Sequence, residues 1–337
     1  MLGEPHLRIL QSLDQPKTPT ELAEELGYSV KHVSQTLSRL AEIGLATKER
    51  EGGRNIYRTT ENRAVESYRE LTSRHPHVNF PELLTPSYLC VVFHLDEART
   101  ADELTKMSKP SRATVYRILK ELRNRGVVRT EDDGYVVRDP YIPLTEFARE
   151  AVLLEHGSTL RGDFPGAKSH IVWNNDYEFI ASLRKTSDTE DEIKERTTES
   201  DGRYYLTGLE VLEDYDLRFL TISGYHVFYT EDTKKIDTAS AESRLPPEDI
   251  VCHVAIIQDR SSLDQRYTLL FLAKLRDELG VQEASFKQRA VHYGISRKMD
   301  ALLDYLDAKD ERKTQDDEDL PVWDEFQRLA REYEVTV

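Results

Sequence analysis

The sequence predicts a mostly α-helical first half that carries two short β-hairpins, followed by an α+β second half. Two observations lead to this prediction. The first half repeats itself at an offset of 82 residues, and after residue 157 helical spacing of apolar residues gives way to strand-like alternation. With 337 residues, the chain is long enough for two or three domains.

Charge separates the same two halves. The formal net charge is −16, but residues 1–150 hold 22 basic and 23 acidic residues, which leaves 24 and 39 in residues 151–337. Because the acidic excess belongs to the second half, it does not exclude nucleic acid as a partner of the first. The arginine-rich, carboxylate-rich composition resembles that of proteins from salt-loving archaea.

The repeat aligns residues 13–44 with residues 95–126 without a gap. Each copy opens with a short apolar helix and continues with a second one, "TPTELAEELG" in the first copy and "TADELTKMSK" in the second. A threonine supplies the expected N-cap of this second helix, Thr18 or Thr20 in the first copy and Thr100 in the second.

A third helix then follows in each copy. In the first copy it begins at Ser29 and ends at Gly44, and in the second it begins at Ser111 and ends at Gly126. Beyond the glycine come two strand-like runs around a turn, "LATKEREGGRNIYRTT" and "VVRTEDDGYVVRD". Helix, helix, turn, helix and hairpin is the order of a winged helix-turn-helix domain.

Two such domains in tandem resemble the MarR and ArsR type regulators of bacteria and archaea. The stretch "SRATVYRILKEL" is especially similar to their recognition helices, and the resemblance covers residues 5–139. It implies a transcriptional regulator that binds double-stranded DNA and forms homodimers through helices that flank the wing.

The third helices carry the candidate DNA contacts. At about 100° per residue, their apolar residues fall on one side and polar residues on the other. The candidates are Lys31, His32, Ser34, Gln35, Ser38 and Arg39 in the first copy, and Arg112, Ala113, Tyr116, Arg117 and Lys120 in the second. Gln35 suits adenine and Arg117 suits guanine, whereas Lys31 and Lys120 suit phosphates. The alternative is a merely solvated face or a protein-binding surface.

The two hairpins, or wings, differ in charge. Arg50, Arg54 and Arg58 flank the Gly52-Gly53 tip of the first wing, which favours a minor-groove or backbone contact. The tip of the second wing is "EDDG", which would repel phosphate. We therefore expect the first copy to contact DNA through helix and wing, and the second mainly through its helix.

The segments around the second copy raise two further points. His75 and His77 lie in a proline-flanked linker without further ligands at metal-binding spacing, so neither a metal nor a cofactor is expected. After the second wing, Phe147, Ala148 and Val152 share one helical face with Leu153. This face suits a homodimer contact.

The second half is expected to begin with a β-hairpin, "KSHIVWNNDYEFIASLR". A strand, a short helix opened by Thr207-Gly208, two more strands and four helices should follow. The expected domains are residues 1–75, 76–156, 157–308 and 309–337, of which the last comprises an acidic tether and a C-terminal amphipathic helix.

The preferred function is that of a cytoplasmic, non-enzymatic transcriptional regulator. No apolar run is long enough to span a membrane. Its second half would sense a small molecule, dimerise or bind a partner protein. A first alternative is an antitoxin-type autorepressor or adaptor whose main partner is a protein.

A nucleotidyltransferase is the second alternative. "GSTLRGD" at 157–163 resembles the start of such enzymes, with Asp176 and Glu178 as a carboxylate pair for Mg²⁺. The spacing departs from the usual pattern. The two cysteines, Cys90 and Cys252, lie in apolar helical runs and are expected in the core.

Overall fold

The computed structural model describes residues 2–131, 133–186, 204–219, 224–231, 245–260, 265–309 and 320–337. The chain divides into two compact units, the first of Met1–Pro165 with Asn175–Tyr177, the second of Gly166–Asn174 with Glu178–Val337. The polar segment expected at 187–202 and most of the expected acidic tether lie outside the described residues.

The first unit contains both copies of the repeat. The first copy consists of α1 (Glu4–Ser12), α2 (Pro19–Leu26), α3 (Val30–Ile43), β1 (Ala46–Glu51) and β2 (Arg54–Thr59). The second consists of α6 (Pro86–Phe93), α7 (Ala101–Met107), α8 (Arg112–Asn124), β3 (Val128–Glu131) and β4 (Gly134–Val137). Between them lie α4 (Arg63–Arg74) and α5 (Phe80–Leu83), and α9 (Ile142–Asp163) follows the second copy. Both copies are thus winged helix-turn-helix domains, as the sequence predicts.

The second helix of each copy begins with the same capping box. In α2 the backbone N–H of Thr18 donates to Glu21 Oε2 over 2.7 Å, and the Thr18 side chain accepts from the backbone N–H of Glu21. In α7 the backbone N–H of Thr100 donates to Glu103 Oε2, also over 2.7 Å, and Thr100 accepts in return. Each box satisfies two backbone donors that a helix start otherwise leaves unpaired.

Each wing gains a third strand segment from the start of its own copy. Lys17 and Tyr57 exchange two backbone hydrogen bonds, of 3.0 and 2.9 Å, and Arg99 and Tyr135 do the same over 3.0 and 2.7 Å. Lys17 and Arg99 are 82 residues apart in the sequence. The repeat therefore extends to backbone pairing, and this pairing fixes each wing against its helices.

The recognition helices α3 and α8 end in the same way. Gly44 and Gly126 adopt positive φ angles of 88° and 70°, a conformation that L-residues with a side chain rarely adopt. At the start of α3, Ser29 accepts from the backbone N–H of His32. Ser111 instead contacts Thr114 Oγ1, so only the first of the two expected serine caps forms the capping hydrogen bond.

Helices α4 and α9 pack against each other and join the two copies into one hydrophobic core. The rings of Tyr68 and Phe147 lie 4.8 Å apart, and Ser67 donates to Glu146 Oε2 over 3.0 Å. This core includes residues from Leu2 to Val152 without separating into two clusters.

The second unit contains an antiparallel sheet of four described strands in the order β5-β6-β8-β7. These strands are β5 (Ser169–Asn174), β6 (Glu178–Arg184), β7 (Tyr204–Thr207) and β8 (Tyr225–Glu231). The helices are α10 (Pro247–Arg260), α11 (Arg266–Ala273), α12 (Glu283–Tyr293), α13 (Ser296–Ala308) and α14 (Trp323–Glu332). The expected hairpin, Thr207-Gly208 helix start and five later helices are all present, although the Gly208–Tyr215 turn is a 3₁₀ helix.

Two expectations differ from the structure. The boundary placed after residue 156 falls inside α9, which continues to Asp163 and belongs to the first unit. The second difference concerns residues 208–231, where the sequence predicts two strands after the short helix. Among the described residues there, only β8 is a strand, because Leu217–Phe219 is irregular and 220–223 lie outside the described part.

The core of the second unit includes a fully buried histidine. His253 Nδ1 lies 2.8 Å from Thr207 Oγ1, and its Nε2 has no hydrogen-bond partner among the described residues. Burial lowers the pKa of His253 well below its ordinary value of 6.5. The folded unit therefore holds this ring neutral at pH values at which the unfolded chain would bind a proton.

The capping boxes lead to a first prediction. Thr18→Ala and Thr100→Ala should each lower the free energy of unfolding by about 1 kcal/mol, since each leaves helix-start donors unpaired. Urea denaturation followed by circular dichroism measures the loss. Thr20→Ala is the matched control, because Thr20 is exposed inside the same helix. Equal effects of Thr18→Ala and Thr20→Ala would contradict the prediction.

His253 leads to a second prediction. Because its folded pKa lies below the unfolded value of 6.5, the unfolded state binds an extra proton on acidification, and stability falls with pH below 6.5. Between pH 7.5 and 5.5 the loss from this group is on the order of 1 kcal/mol. His253→Gln should remove that part of the pH dependence. The chain's two tryptophans, Trp173 and Trp323, both belong to the second unit, so their fluorescence during urea unfolding measures the effect.

Candidate nucleic-acid interface

All the candidate residues of α3 reach the surface. Lys31, His32, Gln35 and Ser38 are exposed, and Ser34 and Arg39 are half-buried. The opposite side of the helix is buried through Val33, Leu37, Leu40 and Ile43. Core packing on one side therefore orients the polar side outward, as the periodicity predicts.

The candidates of α8 are exposed as well. Arg112, Ala113, Tyr116, Arg117 and Lys120 all face solvent, while Val115, Ile118, Leu119 and Leu122 are buried. At the 82-residue offset, Gln35 corresponds to Arg117 and Ser38 to Lys120. The residues proposed to recognise bases thus occupy equivalent positions of two equivalent helices.

Several candidates are held by neighbouring side chains. Arg112 pairs with Asp102 over 3.1 Å and lies over the Tyr116 ring, and the Tyr116 hydroxyl donates to the same carboxylate. Arg39 pairs with Glu42 over 3.0 Å. Within the described part of the chain, neither an ion pair nor a side-chain hydrogen bond engages Lys31, Gln35, Arg117 or Lys120. These four side chains are available to a ligand.

The three arginines predicted for the first wing do not lie on the same face of the hairpin. Gly52 and Gly53 form its two-residue tip with φ angles of 54° and 81°. Alternation along the paired strands places Arg54 and Arg58 on the face opposite to that of Arg50. Arg58 also pairs with Glu49, and Arg54 stands opposite Glu51. The wing is therefore less basic on either face than the sequence suggests.

The second wing carries acidic residues at its described tip. Glu131 is paired with Arg129 over 2.8 Å, and Asp133 adopts a φ of 65°. Asp132, the middle acidic residue of the expected tip, lies outside the described residues. The expectation that this copy contacts DNA mainly through its helix remains a proposal.

Arg117 lines an open cleft of about 270 Å³ beside α8. The cleft is lined by Asn79, Glu82, Leu83, Thr85, Tyr88, Arg117, Glu121 and Arg125. Arg125 and the Tyr88 hydroxyl both bind the Glu121 carboxylate, which partly neutralises it. Of the two arginines that line the cleft, Arg117 is therefore the one without a carboxylate partner in the described structure.

Sequence reasoning missed two residues near the recognition helices. Val30 is 47% exposed at the start of α3, in the position equivalent to Arg112, where its methyl groups could contact a thymine methyl. Asp102 fixes Arg112 and Tyr116 from the neighbouring helix. The 82-residue offset points to Val30, but no local pattern indicates Asp102.

The apolar face of α9 is covered by the chain itself. Phe147, Ala148 and Val152 are buried in the first unit, while Leu153 is 37% exposed. The face on which the sequence suggests a homodimer contact is thus largely occupied by α4 and α6 of the same chain.

The features that suggested a nucleotidyltransferase do not form one site. Residues 157–163 lie inside α9, so the glycine and serine are helical rather than part of a phosphate-binding loop. Asp176 binds His94 Nε2 and the backbone N–H of Lys109 over 3.0 and 2.9 Å within the first unit. Glu178 belongs to the second unit, where it binds Tyr229 and His292. The proposed Mg²⁺ pair is therefore split between two separate networks.

The cysteines and the linker histidines are also placed. Cys90 and Cys252 are buried, and burial raises the pKa of both thiols, which keeps them protonated. His75 stacks on Tyr141 at 4.1 Å and bonds to the Pro140 carbonyl over 3.0 Å. Among the described residues, no group of three His, Cys, Asp or Glu side chains is close enough to hold a metal ion. No described helix is long and apolar enough to cross a membrane.

Comparison with known protein families identifies both copies of the repeat. A family model described as bacterial regulatory protein, arsR family, matches residues 6–48. The model of the sugar-specific transcriptional regulator TrmB matches residues 86–143, and a C-terminal domain model labelled HVO_2833_C matches residues 201–335. No curated protein matches this chain.

The two matched helix-turn-helix families are families of transcription regulators, which indicates a DNA-binding regulator. Their matches cover the two copies that the structure shows as winged helix-turn-helix domains. The chain is a tandem helix-turn-helix protein of the transcriptional-regulator type, with an ArsR-like first copy and a TrmB-like second copy.

Proposed function

We propose that the protein is a sequence-specific regulator that binds double-stranded DNA through α3 and α8. The observation that carries the proposal is the pair of exposed outer faces. A side chain suited to a base edge occupies the same position in each face, Gln35 in α3 and Arg117 in α8. The opposite side of each helix packs in the core.

The other candidates divide by role. Lys31 and Lys120 are point charges suited to phosphate, and Arg50 on the first wing adds a third. Arg112, Arg39 and Arg58 already pair with carboxylates, so a phosphate has to displace Asp102, Glu42 or Glu49 to reach them. Their net contribution is therefore smaller than that of the unpaired lysines.

The second unit is assigned to sensing, self-association or partner binding. The words "sugar-specific" describe the family model that matches residues 86–143, and these lie entirely in the first unit, so the words do not identify an effector of the second. Homodimerisation is placed on surfaces other than the apolar face of α9, which is covered by the chain itself. We place the protein in the cytoplasm, where DNA is accessible, and assign it no catalytic activity.

High salt would favour this interface over a strongly basic one. At 1 M salt the Debye length is about 3 Å, so long-range attraction between charges is largely screened. Affinity gained through counterion release falls with salt in proportion to the number of phosphate contacts. An interface with few unpaired cations and several base-edge contacts therefore loses little affinity as salt rises.

The base-recognising residues can be tested directly. A duplex enriched from a random pool by the full chain should bind Gln35→Ala and Arg117→Ala about 5- to 150-fold more weakly, because each loses one bidentate base contact worth about 1–3 kcal/mol. Fluorescence anisotropy measures the affinity. Gln11→Ala, exposed on α1, is the control and should bind like the unchanged chain. Full affinity of both variants would contradict the assignment.

The phosphate-contacting residues should behave differently. Lys120→Gln should weaken binding to all duplexes alike and reduce the slope of log affinity against log salt by about 1. Gln35→Ala should leave that slope unchanged, because glutamine releases no counterion. A series of binding curves from low to molar salt separates the two effects. A steep slope for the unchanged chain, equivalent to about ten phosphate contacts, would count against the proposed interface.

A further inference from the structure

The contact between α4 and α9 joins equivalent parts of the two copies. Both helices follow directly after a wing, α4 four residues after β2 ends at Thr59 and α9 five residues after β4 ends at Val137. The second wing is four residues shorter than the first, so equivalent residues are 78 apart after the wings, as Thr59 and Val137 are. At this offset Glu146 and Phe147 correspond to Tyr68 and Arg69 of α4. Their partners Ser67 and Tyr68 lie beside and at those equivalent positions, and their partner Arg63 lies five residues before Tyr68.

A contact that joins the same patch of two copies is isologous, which is the geometry of a two-fold symmetric dimer. Here the two copies are unequal and belong to one chain. Tyr68 and Phe147 are both buried in the core that contains residues of both copies. The first unit thus has the organisation of a dimer without a second molecule.

The two recognition faces of this unit are not alike. Four pairs of residues occupy equivalent positions in the aligned sequence: Lys31 and Ala113, Ser34 and Tyr116, Gln35 and Arg117, and Ser38 and Lys120. Three of these four pairs differ in their hydrogen-bonding groups, and Ser34 and Tyr116, which share a hydroxyl, differ in size, so we expect the two helices to prefer different base sequences.

From these observations we propose that one chain recognises a DNA site made of two unlike half-sites, without requiring a second chain for the second half-site. The inference rests on the proposed DNA binding. Because one core carries both helices, the spacing between the half-sites is fixed. A symmetric homodimer with one recognition helix per chain would instead require a palindrome.

Selection of 30-base-pair random duplexes by the full chain tests this inference. The enriched sequences should contain two different conserved blocks and no palindrome. Gln35→Ala should relax the preference in one block and Arg117→Ala in the other. An insertion of 5 base pairs between the blocks, which turns one by about half a helical turn, should lower the affinity at least 10-fold.

Native mass spectrometry of the enriched duplex gives the ratio of chains to DNA. We expect equal numbers of chains and duplexes, even when chains associate through the second unit. A palindromic site with two chains per duplex, or relaxation of the same block by both substitutions, would overturn the inference while leaving DNA binding intact. Enrichment of no sequence at all would overturn both proposals. Unchanged circular dichroism of both variants, whose altered side chains are exposed, establishes that they are folded.

Discussion

The organisation of the first unit depends on the packing of α4 against α9. Tyr68 and Phe147 meet there, and the core they share unites two winged helix-turn-helix copies in one chain. In a homodimer every substitution appears twice, so both recognition helices must change together. Two copies encoded separately in one chain are free of that constraint, and their outer faces differ, with Gln35 in one and Arg117 in the other.

The two units also differ in charge. The acidic excess lies in residues 151–337, mostly within the second unit, whereas the copies that carry the recognition helices are nearly neutral. Within those copies, arginines at the helix and wing surfaces are largely paired with carboxylates. The remaining unpaired groups are few and suited to short-range contacts, which salt screens less than long-range attraction.

Much of the fold follows from the sequence because its signals are local. Helical spacing, threonine caps and terminal glycines predict α2, α3, α7 and α8 closely. The sequence does not predict the full length of α9, because Gly157 and Gly162 each cost a helix about 1 kcal/mol, whereas burial of Leu160 and Phe164 at its end offsets that cost.

Long-range contacts could not be predicted in this way. The Asp-x-Glu pattern places both carboxylates on one strand face only if the strand includes both, and β6 begins at Glu178. Asp176 instead belongs to a turn that contributes to the other unit. The separation of the wing arginines depends likewise on strand register, which the residue types alone do not specify.

The position of Asp176 has a consequence for dividing this protein into fragments. A fragment that ends at residue 165 contains every helix and wing of the first unit, yet it leaves out the carboxylate that binds His94 and the Lys109 backbone. Lys109 lies three residues before Arg112, the first residue of α8, and its part-buried N–H would lose this carboxylate as acceptor. The smallest intact fragment of the first unit therefore has to extend through Tyr177, and joining this unit to a different C-terminal domain would require that turn to be kept.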